Sequence, residues 1–358
     1  MTSVGGAPPG IDLARLAAYL PAVLDDYDPT APLTAAPLAG GRSNITCLIA
    51  QPGRSWVLRR PPLGHVMPSA HDVAREYRSL SWLAQHGFPA PRPLALCEDH
   101  AVLGVSFLLM EYVAGSVIAD QTSARSLVKS QADDLCRSMV HTLGQLHHVP
   151  APPLRPGDSA SSAHHLRRQL ARWTQQWERT RTRQLPAVAT LASWLRTAID
   201  NLPSDHPITL VHGDYRMDNL ILDPSTMDIR AVLDWEMSTA GDPLLDLAVL
   251  LVYWEQAGDA ARARVNVSQG VTTGDGFWSR ARLVEEYTRT GAVPTAHLDA
   301  RLALACLKLA VIMESVHFRY LAGQATDGLS ANLADAAPAL LEMGLRVADG
   351  AGLDGLSA

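Results

Sequence analysis

An α+β fold in two lobes, a small antiparallel-sheet lobe followed by a larger and mainly helical one, is predicted by three features of the residue pattern. Two apolar runs, Ile45–Ala50 and Trp56–Arg59, flank the turn residues Gln51-Pro52-Gly53-Arg54 and read as a hairpin. A helical stripe and two more apolar stretches then complete a strand, strand, helix, strand, strand order before Gly115. From Arg125 onward the apolar period turns helical.

Taken in order, residues 1–10 are Gly- and Pro-rich and are expected to form a disordered tail. Ile11–Leu24 has helical spacing that Pro21 interrupts, and a Pro- and Ala-rich connector follows. Ser69-Ala-His-Asp72 offers a start like a capping box, with Asp in place of the usual Glu, for a helix bearing Val73, Tyr77, Leu80 and Ala84 on one face. Gly87, Pro89 and Pro91 stop it, and strands are expected around Leu94–Cys97 and Val105–Val113. Gly115 is the natural boundary, giving a sheet lobe over 11–114 and a helical lobe over 115–358. In the second lobe Leu127–Val149, His164–Arg181 and Leu185–Leu202 read as amphipathic helices. Strand character returns between Ile208 and Trp235, and after Pro243 the pattern predicts helix nearly to the end.

Composition removes several classes of function. The chain has 358 residues, 47% hydrophobic and 18% charged, with a formal net charge of −6. An acidic balance speaks against nonspecific nucleic-acid binding, which needs a basic surface. No apolar run reaches the ~18 residues of a membrane span, and the beginning of the sequence has no basic stretch leading into an apolar one, so the expectation is a cytoplasmic protein. Cys47, Cys97, Cys136 and Cys306 form no metal-knuckle spacing and are expected as buried free thiols. Lys129 and Lys308 are the only lysines, so no mechanism can use a lysine from the first 128 residues.

The densest chemical signal is Ile208-Thr-Leu-Val-His212-Gly-Asp214-Tyr-Arg-Met-Asp-Asn219-Leu-Ile-Leu-Asp-Pro. An apolar strand delivers Asp214 into a loop, Asn219 follows, and a turn at Asp223-Pro224-Ser225 leads to a second strand ending at Asp234. A hairpin brings the end of its second strand beside the start of its first, so the three side chains are expected to converge. Phosphoryl transfer needs that set of oxygens: a carboxylate to orient the attacking hydroxyl and take its proton, and an amide oxygen with a second carboxylate to hold Mg²⁺. Asp and Asn also mark turns, which accounts for any one of them but poorly for three at these intervals.

The segment His212-Gly-Asp214 with Asn219, followed by an apolar hairpin and Asp234-Trp235, resembles the aminoglycoside phosphotransferase and choline kinase superfamily. That resemblance implies the two-lobed protein-kinase-like fold, ATP (or GTP) with Mg²⁺, and a small-molecule hydroxyl as phosphate acceptor. It implies Asp214 as catalytic base and Asn219 and Asp234 as metal ligands. His212 would anchor the loop and Asp246 would brace it; alternatively Asp246 is an exposed charge early in a helix, favoured by the dipole.

In the first lobe the same resemblance makes Gly40-Gly41-Arg42-Ser43-Asn44 the flap over the nucleotide phosphates, with Gly41, Ser43 and Asn44 contributing; a plain hairpin turn is the alternative. A strand lysine usually grips the α- and β-phosphates. Here Arg59 takes its place with Arg60 as rival, since alternation puts them on opposite faces. Glu76 falls inside the apolar stripe of its helix, where a carboxylate needs a cation, so an ion pair with the strand arginine is expected. Backbone groups of Glu111 and Val113 would hold adenine.

The acceptor is less determined. Between Ile208 and Asp259 ten acidic residues face two basic ones, which suits an amine or an aminoglycoside. Yet Val57-Leu-Arg-Arg-Pro-Pro62, Ala74-Arg-Glu-Tyr-Arg-Ser-Leu80 and Arg168-Gln-Leu-Ala-Arg-Trp-Thr-Gln-Gln-Trp177 resemble the kinase-like domain associated with acyl-CoA dehydrogenases. That subgroup implies a hydroxylated metabolite or hydroxyacyl thioester. His164–Leu202 carries seven arginines against Glu178 and Asp200, so if it lines the acceptor pocket it would repel polycations. An antibiotic kinase and a catalytically silent nucleotide- or metabolite-binding protein remain the alternatives.

Overall fold

The computed structural model describes residues 8–38, 44–61, 72–153, 161–203, 207–260, 262–265, 270–323 and 333–353. The backbone forms two compact units. One holds residues 1–115 together with 230–238, and the other holds 116–229 and 239–358. The fold is the kinase-like fold, with an antiparallel sheet in the first part of the chain and helices dominating the rest.

In the first unit, helix α1 (Leu13–Tyr19) is capped by Asp12 and continues as one 3₁₀ turn, Leu20–Ala22, with Pro21 inside it. Strands β1 (Thr34–Pro37), β2 (Ile45–Gln51), β3 (Arg54–Arg60), β4 (Pro93–Cys97) and β5 (Phe107–Glu111) form an antiparallel sheet in the order β1-β2-β3-β5-β4. Register follows from the Gln51–Arg54 turn, which pairs Cys47 with Leu58 and Ile49 with Trp56. One sheet face closes a core of Leu16, Leu20, Cys47, Ile49, Leu58 and Phe107. Against expectation, the Pro- and Ala-rich connector supplies β1; it is an edge strand, where a proline is tolerated.

Helix α2 (Val73–Gln85) starts one turn later than a Ser69 cap would imply. Asp72 is itself the N-cap and accepts from Arg75 N at 2.9 Å, while Ser69 lies outside the described residues. Of the residues expected as a tail, 1–7 lie outside the described residues, and the Pro9 carbonyl accepts from Arg60 Nη2 at 2.6 Å. Helix α3 (His100–Leu103) links β4 to β5.

The second unit contains α4 (Gln121–Arg125), α5 (Lys129–His148), α6 (Ser162–Thr180), α7 (Pro186–Asp200), α8 (Pro243–Tyr253), α9 (Arg280–Arg289), α10 (Leu298–Leu321) and α11 (Ala336–Ala348). Strands β6 (Thr209–Val211) and β9 (Thr239–Gly241) pair antiparallel. Strand β7 (Leu220–Leu222) precedes the turn in which Asp223 N donates to Asp228 O; β8 (Ile229–Val232) follows, and from Arg230 to Ser238 the chain belongs to the first unit. Helix α10 is the hub, buried continuously from Ala300 to Val311 and packed on α6, α7, α8 and α11. No described helix is long and apolar enough to cross a membrane.

The expectation of helix from Pro243 nearly to the end fails between α8 and α9. The described residues of Trp254–Ser279 are largely irregular and are held by arginines inserted side chain first. Arg262 donates to the carbonyls of Tyr253 and Val265, and Arg280 to those of Leu251 and Trp254 and to Asp259. Both are fully buried. Glycines at 258, 270, 274 and 276 signal the break; Gly276 has φ +95°, and a Cβ there would lie 2.3 Å from the Lys129 carbonyl. All four cysteines are buried free thiols.

Candidate active site

In the first unit, alternation along β3 sends Arg59 and Arg60 to opposite faces, and both are buried, at 6% and 0% exposure. Arg60 binds the carbonyls of Pro9 and Pro61. Arg59 is the one that meets Glu76, Nη1 to Oε1 at 2.7 Å. Its other terminal nitrogen lies 2.6 Å from Asp234 Oδ1 and 3.3 Å from Glu236 Oε2. Asn44 Nδ2 donates to the same Glu236 oxygen at 3.0 Å. One guanidinium thus serves three carboxylates. Burial pushes Glu76 up to about 7 against the pull of Arg59, with Asp234 adding to the push. On Arg59 burial works against the charge, but Glu76, Asp234 and Glu236 outweigh it and raise its pKa. The two rises have different causes, burial first for Glu76 and the neighbouring carboxylates for Arg59.

Asp234 stands at φ +68° and ψ +64°, a left-handed conformation that Asp tolerates better than most residues. Trp235 behind it is fully buried and meets Phe88 edge-on at 5.7 Å. Glu236 was not anticipated from sequence; a second acid two residues after Asp234 was its only signal.

Glu111 ends β5. Its backbone N–H is taken by the Arg92 carbonyl at 2.9 Å and its side chain lies 3.6 Å from Arg92. Val113 follows in the extended segment leading to Gly115. Gly41 and Ser43 lie outside the described residues.

In the second unit, β6 leads into His212-Gly213-Asp214. Gly213 has φ +84°, which a side chain would strain. Asp246, on the first turn of α8, is buried and not exposed. It accepts from His212 N at 2.6 Å and from Gly213 N at 2.8 Å. Burial alone would raise Asp246, but the facing His147 ring, with His212 and its N–H, brings it below the ordinary carboxylate range. His147 Nε2 is 3.6 Å from Asp246, too far for a direct hydrogen bond, and its Nδ1 meets the Tyr287 hydroxyl at 2.6 Å. His212 Nδ1 accepts from Asp214 N at 3.1 Å, and Tyr215 anchors the loop by donating to the Met139 carbonyl at 2.8 Å.

Asn219 Nδ2 donates to the Asp214 carbonyl at 3.0 Å. The amide nitrogen is therefore committed to the loop and the amide oxygen is left as the acceptor for anything else. The Asp214 carboxylate is about three-quarters buried, with Arg216 Nε 3.8 Å away; Arg216 also pairs with Asp218 and lies 4.9 Å over the Tyr253 ring. Lys308, from the middle of α10, donates to the Gly213 carbonyl. Neither Arg216 nor Lys308 was singled out by sequence. For Lys308 the signal was a lysine within the otherwise apolar run Leu302–Val311.

On α6 the arginine-rich face and the tryptophans separate. Trp173 and Trp177 are buried, whereas Arg167 reaches out to Asp200 at 2.8 Å. Arg172 stacks 5.0 Å over the Trp173 ring.

The chain is similar to "Acyl-CoA dehydrogenase family member 11" of Homo sapiens, 33% identical over 344 residues, which is 94% of this chain and 43% of the relative. The chain therefore spans less than half of that protein's length. Among solved structures it is similar to a Ralstonia eutropha protein provisionally named an aminoglycoside phosphotransferase. The TM-score is 0.77 and the identity 28%, covering 94% of this chain and 98% of that one. It also resembles a thermostable variant of the aminoglycoside phosphotransferase APH(4)-Ia, solved with AMP-PNP and hygromycin B, at TM-score 0.59 and 15% identity, covering 93% and 98%. At that identity the likeness concerns the fold alone. The model of the phosphotransferase enzyme family matches residues 34–283. With that match across most of its length, the chain belongs to the phosphotransferase enzyme family.

Proposed function

We propose that the protein is an ATP-dependent kinase of a small hydroxylated metabolite, with Asp214 as the base. The observation that carries this reading is the loop from His212 to Asn219. Asp246 fixes its two backbone N–H groups, and Asn219 ties its own amide nitrogen to the Asp214 carbonyl. Asp214 is thereby held on a rigid turn with its carboxylate partly accessible. In the proposed reaction Asp214 accepts the proton of the acceptor hydroxyl as that oxygen bonds to the γ-phosphorus and the bond to the bridging oxygen breaks, leaving ADP. Membership of the phosphotransferase enzyme family supports a phosphate donor, for which ATP is the proposed source.

The donor set fits Mg²⁺. Asn219 keeps its amide oxygen as an acceptor, and Asp234 adds a carboxylate, the oxygen donors that a hard divalent cation takes. Held by Asn219 and Asp234, it would neutralise charge on those phosphates. Arg59, gripped by Glu76, would both restrain Asp234 and face the α- and β-phosphates.

For the acceptor, the likeness to acyl-CoA dehydrogenase family member 11 over 94% of the chain favours a hydroxyacyl compound over an antibiotic. The test is ADP release with Mg²⁺–ATP across hydroxyacyl-CoAs, free hydroxy acids, amino alcohols and kanamycin, with nucleotide binding followed by calorimetry. Mg²⁺ should tighten ATP binding in the native protein and not in Asp234→Ala. Kanamycin should stay well below the ~10⁴ M⁻¹s⁻¹ at the lower end of genuine enzyme–substrate pairs. Identical Mg²⁺-dependent binding in Asp234→Ala, or kanamycin turnover above that level, would refute the corresponding half of the reading.

A further inference from the structure

Lys308 is a buried cation that the reaction as described does not use. It sits midway along α10 at 3% exposure, in a stretch otherwise made of Ala, Leu, Cys and Val. An ammonium has three donors. Among the described residues one hydrogen-bond acceptor is present, the Gly213 carbonyl, and no carboxylate lies within ion-pair distance. The Trp173 ring lies 5.9 Å from Nζ and offers a weak cation–π contact, and Arg172 stacks on the same ring. Burial lowers the Lys308 pKa; the fields of Asp214 and Asp246 oppose that fall and Arg172 adds to it.

A buried charge with donors to spare is costly, and an apolar side chain of similar volume would suit this helix better. Holding the Gly213 carbonyl does not explain the charge, because a neutral donor would do the same. What the position offers is a cation bound to the loop that carries Asp214, with an indole 5.9 Å away. Oxygen acceptors on a ligand would satisfy its remaining donors.

We propose that Lys308 is the acceptor anchor of this kinase: it binds the acyl oxygen, carboxylate or thioester carbonyl, of a hydroxy acid derivative whose hydroxyl is presented to Asp214. The inference rests on the kinase reading above and sharpens its acceptor class. It also gives a physical reason for discrimination against polycations, since an amine at this place would face Lys308 and Arg172 together. An anchor on a helix inside the core is rigid, so it would fix the distance between acyl oxygen and reacting hydroxyl and thereby select the hydroxyl's position along the chain.

Binding separates this idea from the kinase reading, because it needs no turnover. The complex with AMP-PNP and Mg²⁺ is titrated calorimetrically with 2-, 3- and 4-hydroxybutyrate, their CoA thioesters and the matching butanediols. The native protein should bind at least one acyl compound more tightly than its diol, and the free acids against the thioesters tell which acyl oxygen is used. Lys308→Met should weaken acyl binding by about 10- to 100-fold, the usual worth of a hydrogen bond to a charged group, and erase the preference over the diol. Lys308→Arg keeps the charge in a different shape and should fall between; it decides the matter if Lys308→Met does not fold. Equal affinity of acyl compound and diol in the native protein, or unchanged preference in both variants, overturns the anchor. Acyl binding that depends on Lys308 without any phosphate transfer would leave the anchor standing and remove the kinase.

Discussion

The two units hold their buried charges in different ways. In the sheet unit one guanidinium, Arg59, lies among Glu76, Asp234 and Glu236. In the helical unit Asp246 accepts from two backbone N–H groups, and the buried ammonium of Lys308 donates to the Gly213 carbonyl, with no carboxylate within ion-pair distance among the described residues. One cation is shared by side-chain carboxylates and the other is held by backbone, so the two clusters should respond differently to the loss of a charge.

The largest expected effect removes the carboxylate proposed as the base in the helical unit. Asp214→Asn keeps the shape and loses the proton acceptor, so turnover should fall by roughly 10²–10⁴-fold while nucleotide affinity stays level. Single-turnover assays with calorimetry check it; near-native turnover would mean that Asp214 is not the base and would break the contrast on that side.

Next comes the sheet unit. Arg59→Ala removes the guanidinium that Glu76, Asp234 and Glu236 share and should destabilise by about 3–5 kcal/mol, the range for breaking a buried ion pair. Urea unfolding read from the tryptophans measures it. Arg59→Lys should recover only part, because a point charge cannot fork between Glu76 and Asp234. A loss below ~1 kcal/mol, typical of exposed pairs, would show the cluster to be solvated.

The smallest effect concerns His165, at 4% exposure against Gly241 in the helical unit. Burial drives its imidazole down to about 4, against the pull of Asp242 and Asp246. Because the folded value is depressed, the unfolded chain binds the extra proton between the ordinary 6.5 and about 4. Its contribution is therefore full above pH 6.5 and lost as pH falls toward about 4, amounting to at most roughly 3 kcal/mol. Urea midpoints at a series of pH values should slope across that window in the native protein and flatten in His165→Asn. An unchanged slope would assign the acid sensitivity elsewhere.

How far the sequence could be read depended on whether a residue's chemistry clashed with its local pattern. Glu76 was legible because a carboxylate inside an apolar stripe demands a cation, and the structure supplies Arg59. Choosing between Arg59 and Arg60 was not, because β3 is buried on both faces and alternation says only that the two point apart. The Asp214–Asn219 loop was legible from spacing; its fastening to Asp246 depended on resemblance, since whether an early-helix acid turns inward is a tertiary matter. The irregular stretch after α8 was misread as helix although its glycines announced it, because apolar content was weighed above turn chemistry. Strand β1 went unnoticed since Thr-Ala-Ala-Pro has little β-propensity and is ordered by pairing with β2. Lys308 shows the opposite failing: the charge stood out in its helix, yet nothing in the sequence said that the helix passed the Gly213 carbonyl.

The sheet unit borrows nine residues, 230–238, from far along the chain. They bring Asp234 and Glu236 to Arg59, and Trp235 to Phe88. Cutting after Gly115 would therefore not release a self-sufficient module, since the fragment would keep the guanidinium and lose two of its three carboxylates and an aromatic partner. Recombination between relatives at that apparent seam should yield insoluble halves, whereas grafting the chain as a whole should succeed. The stretch similar to acyl-CoA dehydrogenase family member 11 takes in 94% of this chain, both sides of that seam included.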